Sequence, residues 1–129
     1  MYICVDIDGT CVKHTKPLST TEDVPHAAEV LKELVNAGHK LIIFTMRSNK
    51  GGKMLLKDSE DWFKKNDIDL YASQKNPTQW AWTNSPKAYG SVYIDDAALG
   101  CPLIKEEGDL RPYVDWLKVR ELLIEQNVL

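Results

Sequence analysis

Cysteine is scarce in this 129-residue chain: Cys4, Cys11 and Cys101 form an odd set with no C-x-x-C spacing. That removes a disulfide scaffold and a cysteine-built zinc site, and fits a reducing compartment. Long apolar runs are missing too. Met1-Tyr2-Ile3-Cys4-Val5 meets Asp6 before a secretory core forms, and no later run nears the ~20 residues of a membrane span, so a cytoplasmic protein is expected. Nor is there an excess of positive charge. Sixteen basic against nineteen acidic residues leave a net −3, which removes the main electrostatic argument for a duplex-DNA binder or a membrane-surface protein. What remains is an ordinary globular composition, without repeats or a low-complexity linker, at the length of a single domain spanning residues 1–129.

Residues 2–5 are a continuous apolar run ending in Asp6, the pattern of a strand covered on both faces. A polar loop follows from Cys11 to Val24. Asp23 is expected to cap a helix over about 25–36, with Ala27, Val30, Leu31, Leu34 and Val35 on one face and Gly38 ending it. Residues 41–44 form a second buried strand closing at Thr45, and 53–66 a charged amphipathic helix. A short strand near 70–72, a loop over 73–86, a strand at 92–94 closing at Asp95 and a helix over 112–126 complete the chain. Strands alternating with helices imply right-handed crossovers and a doubly wound, parallel-sheet, three-layer α/β sandwich. Ligands of such a fold bind beyond the carboxyl ends of the strands. Asp6, Thr45 and Asp95 therefore belong on one sheet edge.

Asp6 and Asp8 are two apart and point to the same side if the strand extends that far, with Gly9 allowing a sharp turn after them. Turn and cap duty is the ordinary role of any single Asp at such a place. Asp95 and Asp96 bring two further carboxylates to the same edge, where like charges repel and raise one another's pKa unless a cation sits among them. A hard divalent ion such as Mg²⁺ is the economical partner, held by Asp6, a backbone carbonyl and one of Asp95 and Asp96.

The string Asp6-Ile7-Asp8-Gly9-Thr10, Thr45 after Leu41-Ile42-Ile43-Phe44, Lys87 in Ser85-Pro86-Lys87, and Asp95-Asp96 after Val92-Tyr93-Ile94 stand in the order of four motifs. In these the chain resembles the haloacid dehalogenase superfamily of phosphatases, over residues from the first strand to about Leu99. The resemblance implies a Rossmann-like core and a Mg²⁺-dependent phosphomonoester hydrolase. Asp6 would be the nucleophile that forms an aspartyl phosphate, and Asp8 the general acid and then base, coordinating the metal through its backbone carbonyl. Thr45 and nearby backbone N–H groups would hold a phosphoryl oxygen, and Lys87 would offset phosphoryl charge and order Asp6. From its place directly after Thr45-Met46, which would line the substrate, Arg47 reads either as a contact to an anionic substrate group or, equally, as half of a surface ion pair. By the same pattern Asp96 is the direct metal ligand, with Asp95 acting through water or pairing with Lys87.

Members of this superfamily often insert a cap after the first or the third strand. Both gaps here fall far below the ~40 residues that sustain an independent fold, so an open, capless site is expected. Either a macromolecular substrate or a neighbouring subunit would then cover it. A small phosphorylated metabolite is favoured by the acidic net charge, with a polynucleotide end or a phosphoprotein as alternatives. A non-catalytic, receiver-like phosphoacceptor module is the rival of another class. It places its phosphorylated Asp at the third strand, where Leu70-Tyr71-Ala72-Ser73 has none.

Trp80, Trp82 and Tyr89 could stack on a nucleobase or sugar, but plugging the sheet's edge or a subunit contact is the commoner use of such side chains. His14, His26 and His39 share no ligand spacing and receive no chemistry, although His14 stands near enough to the first motif to touch substrate. Cys11 reads as a packing residue.

Overall fold

In the computed structural model, residues 1–14, 22–108 and 111–129 are described. Of the loop expected between Cys11 and Val24, residues 15–21 lie outside that set. Four strands, β1 (Tyr2–Val5), β2 (Lys40–Ile43), β3 (Ala72–Ser73) and β4 (Val92–Ile94), form a parallel sheet in the order β3-β2-β1-β4. Helices α1 (Ala27–Asn36) and α2 (Leu55–Lys65) fill the first two crossovers. Beyond β4, a two-stranded antiparallel ribbon, β5 (Leu103–Ile104) with β6 (Tyr113–Val114), leads into α3 (Trp116–Glu125).

Strand alternation sorts the sheet into two unlike faces. Ile3, Val5, Leu41, Ile43 and Ile94 point to one side and are buried with Val30, Leu31 and Leu34 of α1, Phe63 of α2 and Trp116, Val119 and Leu123 of α3. Cys4, Ile42 and Ala88 form a smaller cluster on the other side, flanked by Tyr2, Phe44 and Ala72. Thus the described residues make an α/β fold with a four-stranded parallel sheet and three helices, and all three helices feed one core. The second face, where the sandwich reading placed a further helical layer, is covered among the described residues by a 3₁₀ turn, Pro77–Ala81, and the segment that follows it. Two buried amides fix this cover. Gln79 donates to the Ser85 and Lys87 carbonyls and accepts from the Tyr89 N–H, and Asn76 donates to the Tyr89 carbonyl.

β1 and β4 match their sequence expectations, whereas the helices begin later. α1 starts after His26, which takes a left-handed conformation (φ 67°) and caps nothing with its side chain. Asp23 is not the cap. Residues 25 and 26 make an extra turn before the helix, and the Asp23 carboxylate instead accepts from Trp62 Nε1 at 2.8 Å, tying the approach of α1 to α2. Gly38 does end α1, at φ 93°, with its N–H on the Val35 carbonyl. Residues 112–115, assigned to the last helix from sequence, supply β6 and the cap Asp115, whose carboxylate accepts from Lys118 N–H. Among the described residues no helix is long and apolar enough to cross a membrane.

Candidate active site

Parallel strands deliver their carboxyl ends to one edge, and that geometry gathers the acids. Asp6 follows β1 and Asp95-Asp96 follow β4, its hydrogen-bonded neighbour; the Asp6 N–H bonds the Ile94 carbonyl at 3.0 Å. One carboxylate oxygen from each of Asp6, Asp95 and Asp96 lies within 4.8 Å of the others. The Thr10 hydroxyl links the two strand ends, donating to Asp6 Oδ2 at 3.3 Å and accepting from the Asp96 N–H at 3.2 Å. Burial, with the neighbouring Asp95 and Asp96 charges adding to it, pushes the Asp6 carboxyl up to about 7 against the partial relief of the Ile7 N–H. Asp95 is also raised, again chiefly by burial. The cluster is short of positive charge and oxygen-rich, the donor set a hard divalent cation takes. The Asp8 carbonyl accepts no hydrogen bond among the described residues and adds a fourth oxygen donor on the same loop.

Asp8 itself is turned to Arg47. Both carboxylate oxygens are engaged, Oδ2 by Nε at 2.8 Å and Oδ1 by Nη2 at 2.7 Å, and Arg47 is only 7% exposed. This fork holds the guanidinium still more firmly cationic. A tight turn after β2 presents Arg47: its N–H bonds the Thr45 hydroxyl at 3.1 Å, and Gln74, beyond β3, accepts from the Thr45 N–H and donates to the Thr45 and Arg47 carbonyls. The Met46 N–H has no partner among the described residues. Residues 7–12 form a closed loop, with Ile7 accepting from Thr10, Cys11 and Val12. That loop is anchored from the far end of the chain, through Val114 N–H to the Gly9 carbonyl (2.9 Å) and Trp116 Nε1 to the Thr10 carbonyl (2.7 Å).

A conserved protein from Bacteroides thetaiotaomicron has the same fold, with a TM-score of 0.73 and 30% identity over 98% of this chain and 91% of that one. The chain belongs to that protein's family. Neither a family model nor a curated protein matches it.

Within this member of the family, the residues singled out from sequence divide into three groups. Asp6, Asp95 and Asp96 come together, and Thr45 stands at the same sheet edge. Asp8 and Arg47 meet each other, a pairing not foreseen because nothing local links residues 39 apart. Neither the Lys87 nor the Met46 side chain makes a hydrogen bond or ion pair with the cluster among the described residues. The Lys87 ammonium sits 5.4 Å from the Tyr93 ring centroid and has no carboxylate partner among the described residues, so the expected Asp95–Lys87 pair does not form. Asp95 Oδ1 accepts from the Ala97 N–H instead, a short-range turn bond that the loop after β4 makes on its own. The Met46 side chain is 98% exposed, leaving only its backbone to serve the site.

Three contributors were missed. Thr10 was legible as part of the first motif but received no role, and Gln74 carries no signal in sequence. His14, given no chemistry, places Nε2 3.1 Å from Asp96 Oδ2. Cys11 is a packing residue, fully buried, with its thiol raised well above the ordinary value by burial.

Proposed function

We propose that this chain is a Mg²⁺-dependent phosphomonoester hydrolase of the haloacid dehalogenase type, acting in the cytoplasm on a small phosphorylated metabolite. The observation that carries this reading is the convergence of Asp6, Asp95 and Asp96 from the ends of two neighbouring strands. Asp6, Asp95, Asp96 and the Asp8 carbonyl would hold the cation, which supplies charge neutralisation to a phosphoryl group brought against the cluster. In fold terms the chain would be a reduced Rossmann-like sandwich, with the 3₁₀ turn standing where a second helical layer would be, and without a cap.

Asp6 attacks phosphorus in line: an Asp6 oxygen lone pair forms the new P–O bond and the bond to the leaving oxygen breaks. Asp8, protonated and with one oxygen released from the Arg47 fork, delivers its proton to the leaving oxygen and later takes one from the water that opens the aspartyl phosphate, returning the electron pair to Asp6. Arg47 orients Asp8 and, as the buried cation beside the acids, takes the charge-offsetting duty first expected of Lys87. The Met46 N–H and the Thr45 hydroxyl receive a phosphoryl oxygen. The test is hydrolysis of p-nitrophenyl phosphate by the purified chain with Mg²⁺. Turnover that EDTA and Asp6→Asn both abolish is expected, and turnover unaffected by Asp6→Asn would end the proposal.

A further inference from the structure

We propose that the cavity beside Trp80 is a base-binding subsite, so that the phosphorylated metabolite is a nucleoside monophosphate; this deepens the phosphatase reading above and rests on it. Between Leu70 and Ile94 the chain has no Asp or Glu, although it carries nineteen elsewhere, and its only charged residues there are Lys75 and Lys87. This stretch is the cover of the sheet's second face. Its backbone is fixed by the buried Gln79 and Asn76 amides, so Trp80 is mounted rigidly, yet 66% of it is exposed. A tryptophan so placed adds little to the core and offers a preorganised ring face. Trp82 is equally exposed but packs edge-on against Tyr89, with ring centroids 5.7 Å apart.

Trp80 lines a cavity of about 340 Å³ with Gln74, Lys75, Asn84, Ser85 and Pro86. That is the low end of ligand pockets and suits one ring system. The exposed Asn84 amide lines the cavity, has no partner among the described residues and is free to pair with a base edge. Gln74 joins this cavity to the reaction centre, because the same side chain clamps Thr45. The register gives the span. Val5 and Ser73 both pair with Ile43, so Asp6 and Gln74, each the next residue, stand level at strand ends two strands apart, about 10 Å. That register sets Gln74, one wall of the cavity, within about 10 Å of the Asp6 strand end, a reach of the order of a mononucleotide's length. Room for one base, two lysines and a net −3 chain favour a mononucleotide over a polynucleotide end.

The experiment compares adenosine 5′-monophosphate with ribose 5-phosphate, which keeps phosphate and sugar and drops the base. Stacking of one base is worth about 5- to 150-fold, so wild-type kcat/KM is expected to favour the nucleotide at least ~10-fold. Trp80→Ala brings the ratio close to one and Trp80→Phe restores most of it. Equal kcat/KM for the two substrates, or a preference that survives Trp80→Ala, overturns the subsite, and preference for a 3′-phosphorylated oligonucleotide overturns the mononucleotide class. Tryptophan fluorescence of the metal-free chain reads stacking without catalysis. Quenching by the nucleotide and not by ribose 5-phosphate, in a chain that turns over no phosphate ester, would keep the subsite and remove the phosphatase reading; quenching without base dependence removes the subsite.

Discussion

Replacing the proposed nucleophile should stabilise the metal-free protein while abolishing turnover. In the folded chain Asp6 is raised from 3.8 to about 7 by burial and by Asp95 and Asp96. Its folded-state value lies above its unfolded one, so between about pH 4 and 7 the native state binds the proton that the unfolded chain has lost. Stability therefore falls as pH rises through that window, and the full cost of an ionised Asp6 is present above it. That rise corresponds to a ceiling of ~4 kcal/mol. Solvent reaching this half-buried cluster screens that to about 2 kcal/mol. Asp6→Asn keeps the shape and removes the charge. Differential scanning calorimetry in EDTA at pH 8 should show the variant melting about 6 °C above wild type, with the gap closing toward pH 4.5. Mg²⁺ should raise the wild-type Tm far more than the variant's, because binding only to the native state adds its own free energy. A variant no more stable than wild type at pH 8 would mean that an ionised Asp6 is penalised neither by its burial nor by its acidic neighbours, and the case for a resident cation would go with that penalty.

Arg47→Gln strands Asp8 in a largely buried place and should cost about 3 kcal/mol, read by urea denaturation, with Arg47→Lys recovering part of the stability but less of kcat because it cannot form the fork. Gly9→Ala puts a Cβ 2.2 Å from Asp96 Oδ2 and 2.6 Å from His14 Nε2 at φ +80°. Calorimetric titration should show Mg²⁺ affinity reduced roughly 10-fold or more, together with ~1–2 kcal/mol of backbone strain. Trp116→Phe removes the hydrogen bond to the Thr10 carbonyl and should cost about 2 kcal/mol, with faster amide exchange at residues 9–11 as the local signature.

Much of the scaffold is written locally. A short apolar run ending at an acid marks a strand of this sheet, and β1 and β4 are recovered residue for residue. β5 and β6 are two residues each and leave no period to detect, so the end of the chain looked like helix alone. At the site, Asp6 and the Asp95-Asp96 step were legible because strand ends of a parallel sheet share an edge. The pairing offered for Lys87 with Asp95 did not form, because the conformation of a loop cannot be counted from sequence. The cover segment is folded by Gln79, which draws the Lys87 carbonyl inward and leaves the ammonium over Tyr93.

By itself, then, the sequence settled the order of the four sheet strands and the three helices along the chain and the edge at which the acids would stand, since both follow from local patterning and the handedness of crossovers. Tertiary structure alone decided the rest: Arg47 engages Asp8 across 39 residues, the Thr10 hydroxyl joins two strand ends, and Trp116 braces the first loop from 106 residues away. Contacts of that range depend on packing the whole core, where a side chain's partner is set by which surfaces are buried together and not by its neighbours along the chain.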